Sequence, residues 1–487
     1  MKLHYPALNS TSILVRCCRI AILLVLSISS TGCISAHRTP NLERIFAIAR
    51  SRTGKRPVIV IPGILGSELI NSKTGEKVWP SALRSEEDGL PMNPDLSSNT
   101  DDLVAGKIVE TVRLARALPE VYVYRDLLEA LRRYAGYREG DWNNPSSEGD
   151  RDSFYVFSYD WRSDNVGNAR QLVTSIRRLK EKLKRPDLRF DIIAHSMGGL
   201  IARYAAMYGD NDLPADNQPL QPNWAGSADI NKIVMIGVPN EGSADAFSTL
   251  LDGYSITEGL RRRIPLLNKL GAEDAIRTPS VFQLLPHETA VRFLDENLRP
   301  LKIDLYDAGE WKKYGWSIIN VDEFRNKYDA AGQNKLDDYL AAQLARARQF
   351  HRALDAVSTT STPPVTLFAI GGDCEETLDA PVIVRNSRKD SWMTLIRPQE
   401  YLTSDGVRIS KKEITQAMYS PGDGRVTRAS LLGEHLFADT PTSEQVKMST
   451  TLALRYAVFG CDLHGHLQRN KTLQDNALTA IIAEAMK

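Results

Sequence analysis

An α/β fold with a mostly parallel sheet, helices on both faces and a large helical insertion is what this sequence predicts, and three observations carry the prediction. Short apolar runs rich in β-branched residues recur along the chain. Amphipathic helical stretches separate them, and a connection of over a hundred residues interrupts the series at 241–363.

The runs are Pro57-Val-Ile-Val-Ile-Pro62, Phe154-Tyr-Val-Phe157, Phe190-Asp-Ile-Ile-Ala194, Ile233-Val-Met-Ile-Gly237 and Val365-Thr-Leu-Phe-Ala-Ile370. Continuous apolar character of this length marks strands covered on both faces, as in parallel sheets. Between the second and third runs, Ala169, Leu172, Val173, Ile176, Leu179 and Leu183 fall at helical spacing, with Arg and Lys opposite. Leu200 to Met207 reads as a helix ending at Gly209, and strands alternating with helices imply the parallel sheet. The connection 241–363 contains an amphipathic helix, Asp337 to Val357. A connection that long is a cap or lid rather than a bare loop. Residues 66–120 form a second long excursion of loops and polar segments.

Composition excludes some function classes. Of 487 residues 42% are hydrophobic and 25% charged, and 61 Lys+Arg oppose 60 Asp+Glu for a formal charge of +1. That is a globular chain with no basic excess to suggest nucleic acid. At the N-terminus Lys2, Arg16 and Arg19 precede the apolar run Ile20 to Leu26, then small residues and Cys33. This is the layout of a secretory signal, too short to span a bilayer. Ser30-Thr-Gly-Cys33 resembles a bacterial lipobox, so residues 1–32 are expected to be a signal peptide, Cys33 a lipidated first mature residue, 33–54 a tether and 55–487 the catalytic domain. An ordinary signal peptide with an incidental cysteine is the alternative. With Ile34 rather than Asp after Cys33, the expected location is the bacterial outer membrane. Of five cysteines, only Cys374 and Cys461 fall in the folded body, as a disulfide or as two buried thiols. No Cys/His spacing suggests a metal, and no cofactor is expected.

The chemistry centres on Ala194-His-Ser-Met-Gly-Gly199, set between a buried strand and a helix. That is the context in which a G-x-S-x-G-like turn becomes a nucleophile elbow, with Ala194 in place of the first glycine. Ser196 then stands above the sheet, facing the N–H groups of the helix that follows. The fold this implies is the α/β-hydrolase, in which the carboxylate and then the histidine follow the serine in sequence. Asp423, between Gly422 and Gly424, is the candidate acid. His464 and His466, before the last helical stretch, compete as base, while His351 and His435 read as surface helix or loop residues. Oxyanion donors are expected from the N–H after the nucleophile, Met197, and from the loop Pro62-Gly-Ile-Leu-Gly-Ser67.

The motifs resemble the lecithin:cholesterol acyltransferase family, which includes lysosomal phospholipase A2 and phospholipid:diacylglycerol acyltransferases. The resemblance rests on Ile61-Pro-Gly-Ile-Leu-Gly-Ser-Glu-Leu69, Val78-Trp-Pro80, Tyr159-Asp-Trp-Arg162, the elbow, Val238-Pro-Asn-Glu-Gly-Ser243, Gln283-Leu-Leu-Pro286, Gly422-Asp-Gly424 and His464 to Asn470. It implies Ser196 as nucleophile, Asp423 as acid, and His464 as base because Asn470 follows six residues later. It further implies the N–H groups of Leu65 and Met197 as oxyanion donors, and Asp160, Arg162 and His195 as support, the first two as an ion pair. The implied activity is lipid acyl hydrolysis or transfer at a membrane surface. Two departures stand out. No cysteine-rich loop follows the first strand, and Arg425-Val-Thr-Arg428 replaces the more typical Thr-Val-Pro. The rival readings are an esterase of a soluble acyl substrate on the same fold and a non-catalytic surface lipoprotein.

Overall fold

Seven strands, all paired in parallel, form the central sheet: β1 (Val58–Ile61), β2 (Arg138–Glu139), β3 (Ser153–Val156), β4 (Phe190–His195), β5 (Ile230–Ile236), β6 (Thr366–Gly372) and β7 (Leu454–Gly460), in spatial order β7-β6-β5-β4-β1-β3-β2. The computed structural model describes residues 39–482 except 81–89, 91–100, 114–119, 216, 217, 219, 256–268, 358–362, 387–390, 437–447 and 451. The signal, lipobox and Cys33 expectations therefore lie outside the described residues.

Alternation along each strand divides the core. Ile59, Ile61, Ile192, Ala194, Ile233 and Met235 face a cluster shared with helices α2 (Asn165–Leu183) and α3 (Met197–Tyr208). Val58, Val60, Ile193, Val234 and Ile236 face the opposite cluster, with α1 (Arg125–Arg133) and the last helix, α6 (Lys471–Ile482). Both faces are covered by apolar helix stripes, which is why the strands read as unbroken apolar runs. Strands β2 and β7 lack such runs for the complementary reason. They are the two edge strands, and their residues are exposed or half-buried.

The connection after β5 carries α4 (Ala244–Asp252), several short helices and α5 (Ala330–Asp355), which starts seven residues before the predicted Asp337. A second excursion, between β6 and β7, joins it. Val382–Asn386 and Ser391–Leu395 complete a four-stranded sheet with Phe293–Leu294 and Pro300–Leu301. The cap is thus built from two insertions. Phe247, Phe293, Trp311 and Trp316 form an edge-to-face and stacked aromatic centre within it. After β1, the stretch read as loops contains an antiparallel sheet of Ser67–Asn71, Lys77–Trp79 and Leu103–Ile108.

Two expectations need correction. The tether 33–54 does not extend to residue 54. From Asn41 the chain belongs to the compact unit, because Leu42 and Phe46 are buried in the core beside α1. His351 is no surface residue but almost wholly buried, its ring nitrogens bonded to the Tyr306 hydroxyl (2.7 Å) and the Gln283 carbonyl (2.9 Å). His435 falls in a short strand, Glu434–Leu436.

Candidate active site

Four loops meet at the carboxyl ends of β1, β4, β6 and β7, where open parallel sheets place their sites. The β4–α3 turn holds Ser196 at φ 53°, ψ −129°. A non-glycine residue at positive φ costs on the order of 1–3 kcal/mol and persists only where its surroundings over-determine it. Around the serine, positions 63 and 198 have room only for glycine. A Cβ on Gly198 would lie 2.4 Å from the Pro62 carbonyl oxygen, and one on Gly63 would lie 2.7 Å from Ser196 Cβ.

Ser196, Asp423 and His464 come together and are all buried. The Ser196 hydroxyl lies 2.9 Å from His464 Nε2, and His464 Nδ1 lies 2.8 Å from Asp423 Oδ2. A carboxylate only accepts, so Nδ1 carries the proton and Nε2 is free to accept from the serine. The other carboxylate oxygen, Oδ1, accepts from the N–H groups of Arg425 (3.0 Å) and Val426 (2.8 Å). Asp423 itself follows Tyr419–Gly422, which pairs antiparallel with Glu375–Leu378 and so returns the chain to the end of β6. A disulfide between Cys374 and Cys461, 87 positions apart, ties the start of the Glu375–Leu378 strand to the loop that carries His464. Both cysteines are exposed, so the alternative of two buried thiols is replaced by a surface cross-link. His466, the rival base, is half-buried, and its Nδ1 lies 3.5 Å from Asp462.

The loop after β1, where an oxyanion donor is expected, is fastened on all sides. Leu65 sits at φ 63°, its carbonyl accepting from Trp79 Nε1 (3.0 Å). Tyr159 donates to the Pro62 carbonyl (2.9 Å), and Trp161 Nε1 donates to the Ser67 carbonyl (3.2 Å). Leu65 lines both cavities that flank Ser196. Met197 is the first residue of α3, so its N–H has no partner within the helix.

The support residues divide into two systems. Asp160 and Arg162 form the expected ion pair (2.7 Å), and Arg162 also holds Asp101 and the Leu90 carbonyl. They brace the loop segments beside the site and do not touch Ser196. His195 belongs to a relay that sequence reasoning missed. The Gly63 N–H donates to the Tyr124 hydroxyl (2.7 Å), Tyr124 donates to His195 Nδ1 (2.8 Å), and His195 Nε2–H donates to the His464 carbonyl (3.2 Å). That direction requires a neutral imidazole. Burial, with the nearby His464 adding to it, holds His195 well below the ordinary histidine range. The relay links the oxyanion loop to the histidine loop. Its only sequence signal was an aromatic next to the start of a helix, which is no signal on its own.

A further motif also finds its place. Arg203 of α3 donates to Asn240 Oδ1 (2.9 Å) and the Leu354 carbonyl (2.9 Å), tying the elbow helix to the end of α5. Among the described residues one group could hold a cation: Glu241, His287 and Asp355, with ligand atoms within 4.8 Å of one another. His287 Nδ1 bonds Asp355 (2.8 Å), and the buried Arg203 guanidinium is near enough to interact electrostatically with both carboxylates. The group therefore already has its counter-charge.

Fold and site geometry together define an α/β-hydrolase. Residues 148–346 match the family model described as lecithin:cholesterol acyltransferase, the family that the motifs resemble. The matched segment holds the elbow, Tyr159 to Arg162 and Val238 to Ser243, and stops short of Asp423 and His464. No curated protein sequence matches the chain. Among solved structures, the Tle4–Tli4 complex aligns with 13% identity over 90% of this chain and 100% of that one, at a TM-score of 0.48. The mature lipase BlEst2 of Bacillus licheniformis aligns with 12% identity over 88% and 92%, at 0.31. EstA from Clostridium botulinum aligns with 15% identity over 89% and 88%, at 0.32.

Proposed function

We propose that the chain is a lipid acyl hydrolase or acyltransferase working through an acyl-Ser196 intermediate. The observation that carries the reading is the hydrogen-bonded series Ser196–His464–Asp423, at 2.9 and 2.8 Å. His464 takes the serine proton as Ser196 Oγ attacks the ester carbonyl, then returns it to the leaving alcohol. Asp423 holds the imidazole in the required tautomer and stabilises the imidazolium. The backbone N–H groups of Leu65 and Met197 receive the developing oxyanion. Water or a lipid alcohol then takes the acyl group, with the same histidine acting as base. One wall of the cavity beside Ser196, formed by Ile64, Pro239, Ala246, Leu270, Leu284 and Val426, is apolar and suits an acyl chain, while Asp245 and Arg425 also line it.

The proposed setting is a membrane surface outside the cytoplasm, reached through a lipidated Cys33. Its support is the N-terminal sequence alone. Among the described residues no helix is long and apolar enough to cross a membrane. The test is Ser196→Ala on medium-chain acyl esters, together with labelling of the folded protein by a fluorophosphonate. Expected is loss of both turnover and label. Full esterase activity in the variant refutes the proposal.

A further inference from the structure

The segment that leads into β1 has two unlike sides. Leu42–Ile45 and Ala47–Ser51 are short helices that meet at Phe46. Leu42 and Phe46 enter the core beside α1. Ile45 and Ile48, three positions apart and so on one helix face, are 49% and 79% exposed. Ile48 is the most exposed large apolar side chain among the described residues. Arg44, Arg50 and Arg52 are exposed on the same segment, and none of the three has an acidic partner. From residue 34 to 57 the sequence holds six Lys+Arg and one acid, Glu43. That acid is already paired with Arg133 at the end of α1.

A single exposed isoleucine is ordinary on a protein surface. Two on one face, among arginines without counter-ions, make the composition of a helix that lies in a membrane interface. The apolar side chains reach the boundary of headgroups and acyl chains, while the cations stay with anionic headgroups. Chain length favours the same partner. Asn41 follows Cys33 by eight positions, a reach of at most about 28 Å. One acyl chain holds a protein only marginally, and a basic patch is the second signal that makes the anchoring stable.

We propose that residues 42–52 form a docking surface for an anionic lipid bilayer, with Ile45 and Ile48 inserted at the headgroup boundary and Arg44, Arg50 and Arg52 against its anionic headgroups. The proposal rests on the reading of a membrane setting reached through Cys33 and is independent of the acyl-Ser196 reading. The surface anchors the chain and does not supply the site. Helix α1 runs from Tyr124, bonded to His195 beside the nucleophile, to Arg133, which holds Glu43. The docking face is therefore set off from Ser196 by about the 14 Å length of that helix.

The test is co-sedimentation with vesicles of mixed phosphatidylglycerol and phosphatidylcholine, and with vesicles of phosphatidylcholine alone. The protein is the chain from residue 34 onward, which lacks the signal and Cys33 and keeps the compact unit Asn41–Lys487 whole. Stronger partitioning onto the anionic vesicles is expected, weakening as salt is raised. Arg44→Gln, Arg50→Gln and Arg52→Gln should each weaken it about fivefold, the value of one basic residue near such a surface. The double variant Ile45→Ser/Ile48→Ser should weaken it by about tenfold or more. Turnover of dissolved p-nitrophenyl octanoate and the urea midpoint should stay at wild-type values throughout, since all five side chains are exposed. Equal partitioning onto both vesicles, or partitioning that the variants do not change, overturns the proposal. A dimer in solution that Ile48→Ser dissociates also overturns it, because the face would then be a contact between copies. The Cys33 reading has its own readout, labelling of the full chain by radioactive palmitate in bacterial cells. Absence of that label beside intact, variant-sensitive vesicle binding refutes the lipid anchor and supports the docking surface.

Discussion

Replacing Asp423 by Asn changes one atom and reverses the polarity of the site. Oδ1 of Asp423 accepts two backbone N–H groups, from Arg425 at 3.0 Å and Val426 at 2.8 Å. Both donors remain in the Asn variant, so the amide oxygen must stay there, and the NH2 group is forced into the place of Oδ2, 2.8 Å from His464 Nδ1. Nδ1 then becomes the acceptor and the ring proton moves to Nε2, facing Ser196. A protonated Nε2 cannot take the serine proton. Loss of the productive tautomer costs about 10⁴ in kcat in serine hydrolases where the geometry is otherwise kept, equivalent to about 5.4 kcal/mol of barrier. Asp423→Ala behaves differently. It leaves the two buried N–H groups without an acceptor, at roughly 1–3 kcal/mol of stability each. Steady-state hydrolysis of a p-nitrophenyl octanoate series and urea denaturation of both variants make the assay. The Asn variant is expected to keep most of its stability and lose activity by about four orders of magnitude, while the Ala variant loses both. An Asn variant within tenfold of wild type would show that Asp423 does not set the histidine tautomer.

Tyr124→Phe removes the centre of the Gly63–Tyr124–His195 relay. Two buried partners lose a bond, so a stability loss of roughly 2–6 kcal/mol is expected. Displacement of the oxyanion loop should add a ten- to hundredfold fall, approximately, in kcat; unchanged kcat would confine the relay to a structural role. Acid sensitivity follows from His195 and His351, both buried and both held well below the ordinary value of 6.5 by burial and a neighbouring imidazole. The folded chain keeps them neutral while the unfolded chain takes up protons below about pH 6.5, so stability falls as pH drops, by up to about 1.4 kcal/mol per unit for each histidine. Urea midpoints between pH 7.5 and 5.5 should show this slope. His351→Gln should flatten it by one proton, and an equally steep variant would refute that assignment.

Local chemistry alone made much of this protein legible. Strands covered on both faces must be apolar at every position, so β1, β3, β4, β5 and β6 stood out. The elbow's small residues are demanded by a close approach that is local in sequence. The order serine, aspartate, histidine follows from the way strands add to this sheet. Edge strands carry no such pattern, and β2 and β7 were invisible for that reason. The choice between His464 and His466 was settled at the sequence level only by the position of Asn470, while the structure distinguishes them by burial and by which ring reaches Ser196.

Other features depend on partners far apart in the chain. Tyr124 acts because helix α1 packs on the face of the sheet beneath the elbow, a relation that residues 124 and 195 do not encode locally. The cap needed strands from both sides of β6, so its second half could not be read from the first insertion. Arg425 was legible as a departure from Thr-Val-Pro, but its neighbourhood was not, because Asp245 lies 180 positions away. The five inner strands, the elbow and the chemical types of the three site residues can be read from the chain alone, since each is imposed by burial or by a turn within a few positions. Which carboxylate oxygen faces the histidine, what fastens the loop after β1 and which charges stand near Ser196 follow only from the packing of distant segments. Those are relations between loops that meet only once the sheet has closed the distance between them.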